Sequence, residues 1–186
     1  MHLPIIGILE TIQLDYVIYS SVQADPPEHI VLDAVQFAKN EKVDIVLGFG
    51  GGSSLDVAKV IAILVHPQQQ QTLSDLYGIN NVKQPRLPLF LVPTTAGTGS
   101  EVTPISIVTT GKTTKTGIVS PVLFADVAIL DATFTQNLPA HITAATGIDA
   151  MVHAIEAYTS KIKKNPYADM LAKQALKLLN HNLSLV

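Results

Sequence analysis

The sequence predicts an α/β fold, a parallel-sheet domain followed by the start of an all-helical domain. Apolar runs that favour strands alternate with segments of helical periodicity as far as residue 130, which is the pattern of a parallel sheet covered by helices. After Pro139 the composition shifts to Ala, Leu, Ile and Lys with helical spacing. We therefore expect one domain at residues 1–137 and the beginning of a second at residues 138–186.

Composition excludes several classes of protein. Of the 186 residues 47% are hydrophobic and 15% charged, which suits a buried core and not a disordered chain. The net charge is -3 without a basic run, so nucleic acid is not expected as a partner. The absence of cysteine excludes disulfides and thiolate metal sites. No membrane span and no signal peptide are recognisable, and we expect a cytoplasmic protein.

The first elements follow a strand–helix–strand order. Residues 16–19 form a short apolar run rich in strand formers, and the Pro-Pro pair at residues 26–27 predicts a turn. Apolar side chains recur at helical spacing between residues 28 and 42, and residues 44–48 indicate a buried strand. This order predicts a parallel βα unit.

A glycine-rich stretch follows that strand directly. Residues 48–53, called the glycine turn below, read Gly-Phe-Gly-Gly-Gly-Ser, and Ser53 or Ser54 can cap a helix that continues toward Val65. A helix N-terminus with bare amides favours a phosphate or pyrophosphate. The stretch matches neither G-x-G-x-x-G/A nor a Walker loop. The alternative is a turn that needs glycine only for close packing.

A second candidate ligand loop follows the next strand. Residues 66–88 are polar and broken, and their glutamine run at 68–71 predicts a solvated loop. Residues 87–93 predict a buried strand, and residues 94–103, called the threonine loop below, leave its carboxyl end, where parallel sheets place ligands. Its hydroxyls and glycines suit the sugar and phosphates of a nucleotide. A polar β-turn without a ligand is the alternative.

The remaining elements are an antiparallel excursion, one strand and two helices. Residues 103–109 and 116–120 are rich in strand formers on either side of Gly111 and Lys112, and residues 127–130 predict a further strand. Helical periodicity then covers residues 142–158 and 167–180.

The first of these helices carries a candidate metal half-site. Asp149 and His153 are four residues apart, so that a carboxylate and an imidazole point to the same side of the helix one turn apart. These donors suit iron, zinc or nickel, although two ligands do not close a coordination shell. The alternative is a carboxylate near a helix start beside an ordinary helix histidine.

Three stretches also occur in an order and at separations that fit one family. They are the glycine turn with Asp56 and Lys59, the threonine loop with Pro93 before it, and residues 144–158 around Asp149 and His153. Together they resemble the iron-containing (group III) alcohol dehydrogenases, from about residue 17 onward.

The resemblance implies a dinucleotide-binding domain, a helical metal domain and an active site in the cleft between them. It implies NAD or NADP and Fe²⁺, or alternatively Zn²⁺, as cofactors, with a small alcohol or aldehyde as the partner and a homodimer as the candidate assembly. Asp149 and His153 would be the metal ligands and the catalytic residues. The implied cofactor-binding residues are Gly50, Gly51, Gly52, Ser53, Asp56, Thr94, Thr95, Thr98, Thr103, Lys115 and Ile142.

The implied reaction is hydride transfer between the alcohol carbon and nicotinamide, with the metal acting as a Lewis acid on the substrate oxygen. The chain departs from the family in length and in lacking the later histidine ligands, since His181 follows His153 without their motif. We therefore expect an internal or truncated piece of a member. A catalytically inactive nucleotide-binding fragment, or an enzyme of the dehydroquinate-synthase type, are the alternatives.

Overall fold

A computed structural model describes residues 4–185, so the outer limits of the two predicted domains lie outside the described residues. The α-helices are α1 (Pro4–Thr11), α2 (Glu28–Asn40), α3 (Gly52–Leu64), α4 (Leu73–Leu76), α5 (Ala140–Thr159) and α6 (Pro166–Asn182). The strands are β1 (Val46–Gly50), β2 (Gly78–Ile79), β3 (Leu89–Pro93), β4 (Ile105–Thr110), β5 (Thr114–Val119) and β6 (Val127–Ala128). Single 3-10 turns lie at Ser100–Val102, Pro121–Leu123, Ala132–Phe134 and Leu183–Leu185.

The central sheet is parallel, as the sequence predicts. Its strand order is β1-β3-β6, with Val46 opposite Leu89 and Phe90 opposite Val127. The strand predicted at residues 44–48 is β1, displaced by two residues toward the carboxyl end. All three strands end at the same edge of the sheet, and the glycine turn and the threonine loop leave β1 and β3 there.

The antiparallel excursion is also confirmed. Strands β4 and β5 pair antiparallel, and β2 adds to β5 in parallel. Gly111 at the tip of the hairpin has a φ of +70°, a left-handed conformation that favours glycine. The hairpin lies against the face of α3, where Val108 and Ile118 join the same apolar cluster as Val57 and Val60.

Helix α3 is apolar nearly all round because it lies between two apolar clusters. Val57 and Val60 pack into the cluster shared with α2 and the hairpin, while Leu55 and Ala58 pack into the cluster formed with β1 and β3. The helix that begins at the glycine turn is therefore held rigidly on two sides.

One strand predicted from the sequence is absent from the structure. Residues 16–19 are not a strand, because no described strand pairs with them and Val17 and Ile18 are exposed. Tyr19 packs on Phe37 instead and donates a hydrogen bond to the Asp33 carboxylate at 2.7 Å.

The glutamine run at residues 68–71 lies in a loop, as predicted, and the rest of the polar region up to residue 88 contains α4 and β2, two short elements that the sequence did not predict. Leu73 and Leu76 bury their side chains in the core, and Thr72 and Asp75 form a capping box at the start of α4. Within the glutamine run, the Gln71 side chain accepts a hydrogen bond from the Lys83 amide at 2.8 Å.

The two predicted carboxyl-terminal helices are α5 and α6, and they pack against each other. Asn165 caps α6 by accepting a hydrogen bond from the Ala168 amide at 2.8 Å, and Pro166 occupies its first turn. Most of the surface of this pair is exposed, and in α5 only Gly147 and Ala154 are buried among the described residues. Within residues 4–185 there is no helix with the length and apolar character of a membrane span.

Candidate functional site

The glycine turn begins α3 without a side-chain cap. Gly51 is the N-cap residue, with an extended backbone, and no described side chain accepts a hydrogen bond from the first amides. The prediction that Ser53 or Ser54 caps the helix is therefore wrong. The Ser53 hydroxyl instead accepts a hydrogen bond from the Asp25 amide at 3.3 Å. An uncapped N-terminus of a long helix is the arrangement that binds anions.

Glycine is required in this turn for two different reasons. Gly50 has a φ of +150°, and a Cβ there would lie 2.7 Å from the Ser54 hydroxyl oxygen. Gly48 is required for packing, because its Cβ would lie 2.7 Å from Leu91 Cδ2 and 2.8 Å from Ala58 Cβ. Close packing therefore accounts for Gly48, while backbone conformation accounts for Gly50.

The threonine loop lies directly against the glycine turn. A Cβ on Gly52 would lie 2.9 Å from Thr98 Cγ2, and one on Gly51 would lie 3.4 Å from Thr95 Cγ2. Thr94, the first residue of the loop, donates its backbone amide to the turn at 2.9 Å. The structure thus brings together residues that the sequence places more than forty positions apart, and both loops border the N-terminus of α3.

Both carboxylate oxygens of Asp56 are bonded within the protein. Oδ1 accepts a hydrogen bond from the Ser100 hydroxyl at 2.5 Å and lies 3.5 Å from Lys59 Nζ, while Oδ2 accepts one from the Ile107 amide at 3.0 Å. Burial raises the pKa of Asp56, and the Ser100 hydrogen bond and the Lys59 cation oppose that shift.

Lys59 and Ser100 are buried partners of Asp56 that were not predicted as site residues from the sequence. The Lys59 side chain is fully buried, and Nζ donates to the Ser100 hydroxyl at 2.8 Å and to the Ile105 carbonyl at 2.6 Å. Burial lowers the pKa of Lys59, with Asp56 opposing the shift. A signal existed in the sequence, since a lysine three residues after an aspartate inside an apolar helix predicts a partnered ammonium group.

Thr103 and Lys115 bond to residues outside the glycine turn. Thr103 ends the Ser100–Val102 turn, and its hydroxyl donates to the Ser100 carbonyl at 3.4 Å. Lys115 Nζ lies 2.6 Å from Asp25 Oδ1 in an exposed ion pair. Asp25 therefore connects the β4–β5 hairpin to the start of α3. Its position in the sequence, directly before two prolines, does not predict this role.

Asp149 and His153 adopt the predicted one-turn arrangement on α5. His153 Nε2 lies 3.7 Å from Asp149 Oδ1, and the two side chains are 51% and 46% exposed. No cluster of three or more His, Asp or Glu side chains suited to a metal ion occurs among residues 4–185. A carboxylate and an imidazole this close fit two positions of a divalent metal, and the other positions must be filled by groups from elsewhere.

The threonine loop meets α5, the helix that carries Asp149 and His153, through one close backbone approach. A Cβ on Gly97, within the threonine loop, would lie 2.2 Å from the Thr146 carbonyl oxygen on α5. Thr146 lies three residues before Asp149 and seven before His153, a spacing that places all three on one helix face. Ile142, the remaining predicted cofactor residue, is one turn earlier on that face and is 36% exposed.

These features define a class: an α/β protein with a glycine turn and a hydroxyl-rich loop at one sheet edge, joined to a helix that carries an Asp–His pair. Residues 3–132 match the family described as "Iron-containing alcohol dehydrogenase", and residues 143–186 match "Fe-containing alcohol dehydrogenase family, C-terminal". The chain therefore belongs to the iron-containing alcohol dehydrogenase family.

Individual relatives agree with this assignment. The chain is 44% identical over 167 residues to long-chain-alcohol dehydrogenase 1 of Geobacillus thermodenitrificans, an alignment that covers 89% of this chain and 42% of that protein. It is 40% identical over 171 residues to sulfoacetaldehyde reductase of Bilophila wadsworthia, covering 91% and 43%. The chain thus spans less than half the length of these relatives.

Solved structures show the same fold. A 1,3-propanediol oxidoreductase superposes with a TM-score of 0.89 at 37% identity, covering 96% of this chain and 46% of that one. An iron-containing alcohol dehydrogenase from Thermotoga maritima gives 0.88 at 38% identity, covering 97% and 49%. Sulfoacetaldehyde reductase from Bifidobacterium kashiwanohense in complex with NAD⁺ gives 0.82 at 31% identity, covering 97% and 50%.

Proposed function

We propose that this chain supplies the nucleotide site and the first two metal ligands of a metal-dependent, NAD(P)-linked oxidoreductase. The enzyme would interconvert primary or secondary alcohols with aldehydes or ketones. Family membership supports the reaction class, and the NAD⁺ complex of the Bifidobacterium kashiwanohense relative supports the cofactor. We further propose Fe²⁺, with Zn²⁺ as the alternative, because a carboxylate and an imidazole suit both metals.

The observation that carries this proposal is the approach of Gly97 to Thr146. It places the threonine loop against the same helix face that presents Asp149 and His153. A cofactor held between the two loops would therefore have its reactive end beside the Asp–His pair. Hydride transfer requires this proximity, because the protein's part is to orient the substrate carbon against the nicotinamide.

Each group of residues has a separate task in the proposed reaction. The amides at the start of α3 would bind the pyrophosphate, and the hydroxyls of Thr95 and Thr98 would bind the adjoining parts of the cofactor. Asp149 and His153 would hold the metal. When bound, that metal supplies Lewis-acid activation of the substrate oxygen.

A catalytically inactive nucleotide-binding fragment is the second candidate, and the exposure of the metal half-site favours it. Both side chains are about half exposed, and no third metal-binding side chain joins them in the described part of the chain. Two ligands alone bind a metal weakly, because an incomplete shell leaves the remaining positions to water.

Alcohol-dependent reduction of NAD⁺ by the purified chain, under anaerobic conditions with added Fe²⁺, tests the proposal. We expect turnover with ethanol, butanol or a propanediol if ligands from a second chain complete the shell. His153→Ala should abolish it, and His141→Ala, which removes an exposed histidine from the same helix, should not.

Calorimetric titration with NAD⁺ separates the two candidates. Binding of NAD⁺ by a folded chain without turnover supports the inactive nucleotide-binding fragment. A folded chain that binds neither NAD⁺ nor NADP⁺ contradicts both candidates.

A further inference from the structure

We infer that Asp56, Lys59 and Ser100, called the buried triad below, are positioning residues that hold the threonine loop over the N-terminus of α3. This assignment differs from a direct cofactor contact by Asp56. It rests on the proposed function, because it explains how that nucleotide site is kept in shape.

The triad forms a hydrogen-bond chain from the core of α3 to the loop. Lys59 Nζ donates to the Ser100 hydroxyl at 2.8 Å, and that hydroxyl donates to Asp56 Oδ1 at 2.5 Å. Lys59 is fully buried, Ser100 is 5% exposed and the Asp56 side chain 14% exposed. A buried network of this kind permits one arrangement of its members, because an unpaired group would be costly.

Ser100 also holds Thr98, one of the predicted cofactor-binding residues, in place. Its backbone amide donates to the Thr98 hydroxyl at 3.3 Å, and Thr98 in turn lies against Gly52 at the first turn of α3. The position of the Thr98 side chain over the helix N-terminus is thus fixed by a residue two positions away that is anchored in α3.

The triad also anchors the far side of the loop. Lys59 Nζ donates to the Ile105 carbonyl at 2.6 Å, and Asp56 Oδ2 accepts from the Ile107 amide at 3.0 Å. Both acceptor and donor lie on β4, directly after the loop. The loop is therefore held at its end and near its middle by one helix, and both Asp56 oxygens are used in doing so.

Two buried serines provide a matched test. Ser100→Ala removes the centre of the triad, whereas Ser120→Ala removes a serine of similar burial (2% exposed) that caps the Pro121–Leu123 turn. We expect Ser100→Ala to weaken NAD⁺ binding by the 186-residue chain at least tenfold. Ser120→Ala should change it less than twofold, and Ser100→Thr, which keeps the hydroxyl, should restore most of the affinity.

A double-mutant cycle distinguishes positioning from contact. If Asp56 acts through the loop, Asp56→Asn and Ser100→Ala should be strongly non-additive, with the double variant binding NAD⁺ about as weakly as either single variant. Additive losses, or a loss in Asp56→Asn with none in Ser100→Ala, would overturn the inference in favour of a direct contact.

Hydrogen exchange measures the local stability of the threonine loop in the absence of any ligand. Amides of residues 94–103 should exchange faster in Ser100→Ala than in the wild type and in Ser120→Ala. The exchange rates of the amides in α3 should stay the same in all three proteins. Equal exchange in the three proteins would overturn the inference. A wild-type chain that binds neither NAD⁺ nor NADP⁺ would instead contradict the proposed function, while the exchange rates still decide the role of the triad.

Discussion

The proposed nucleotide loops and the proposed metal half-site differ in how completely this chain builds them. Around the start of α3, the glycine turn and the threonine loop contact each other, and a buried triad fixes their arrangement. On α5, Asp149 and His153 are half exposed and have no third metal-binding neighbour among the described residues. The proposed nucleotide half is therefore organised within this chain, whereas the proposed metal half would need groups from elsewhere.

This difference has a physical cause. The nucleotide half lies at the edge of a parallel sheet and is supported by α3, which is packed on two sides. The half-site lies on a helix that packs mainly against one further helix, α6, and apolar side chains such as Ile148, Val152 and Ile155 remain exposed around it. Preorganisation requires such surrounding packing, and only the first site has it within the described residues.

The largest expected effect is the loss of the buried cation in the nucleotide half. Lys59→Met keeps the apolar stem but leaves Asp56 buried beside no cation, and we expect a loss of about 3–5 kcal/mol in the free energy of unfolding at pH 7. Urea denaturation measures it. A loss below about 1 kcal/mol would mean that the triad does not anchor this region.

The pH dependence of that loss follows from the pKa of Asp56. Burial already raises it, and removing Lys59 removes one of the causes that lower it, so the pKa rises further. A carboxyl group with a raised folded-state pKa destabilises the protein as the pH rises through that value. The deficit of Lys59→Met relative to the wild type should therefore shrink between about pH 7 and pH 4, whereas an unrelated packing defect would be independent of pH.

A middle-sized effect is expected where the two halves meet. Gly97→Ala places a Cβ 2.2 Å from the Thr146 carbonyl, so the threonine loop and α5 must move apart. We expect a destabilisation of about 1–3 kcal/mol in urea denaturation, together with weaker binding of NAD⁺. Gly117→Ala is the control, because its Cβ would meet Ile107 at an ordinary 3.5 Å. Equal effects of the two changes would refute the close contact between the threonine loop and α5.

The smallest effect is expected at the metal half-site. His153→Ala should change the free energy of unfolding by no more than about 0.5 kcal/mol without metal, because the side chain is half exposed. The stabilisation produced by added Zn²⁺ or Fe²⁺, measured as a shift in melting temperature, should disappear in the variant. A large loss of stability without metal would indicate that His153 serves packing and not metal binding.

The sequence by itself determined most of the longer elements and the residues available for chemistry. Strand and helix periodicity predicted the parallel sheet, the hairpin of β4 and β5, and helices α5 and α6, because burial of one face imposes a regular pattern on the chain. Local spacing also predicted that Asp149 and His153 share a helix face. These features depend on neighbours in sequence, which a pattern can report.

Only the tertiary structure decided how those residues are used. Residues 16–19 do not form the expected strand, because no described strand pairs with them. Asp56 lies in a buried triad with Lys59 and Ser100. The tertiary structure also places Gly97 against Thr146. These outcomes join residues that are up to about fifty positions apart, and burial and hydrogen-bond partners at such separations are fixed by packing, which the local pattern does not encode.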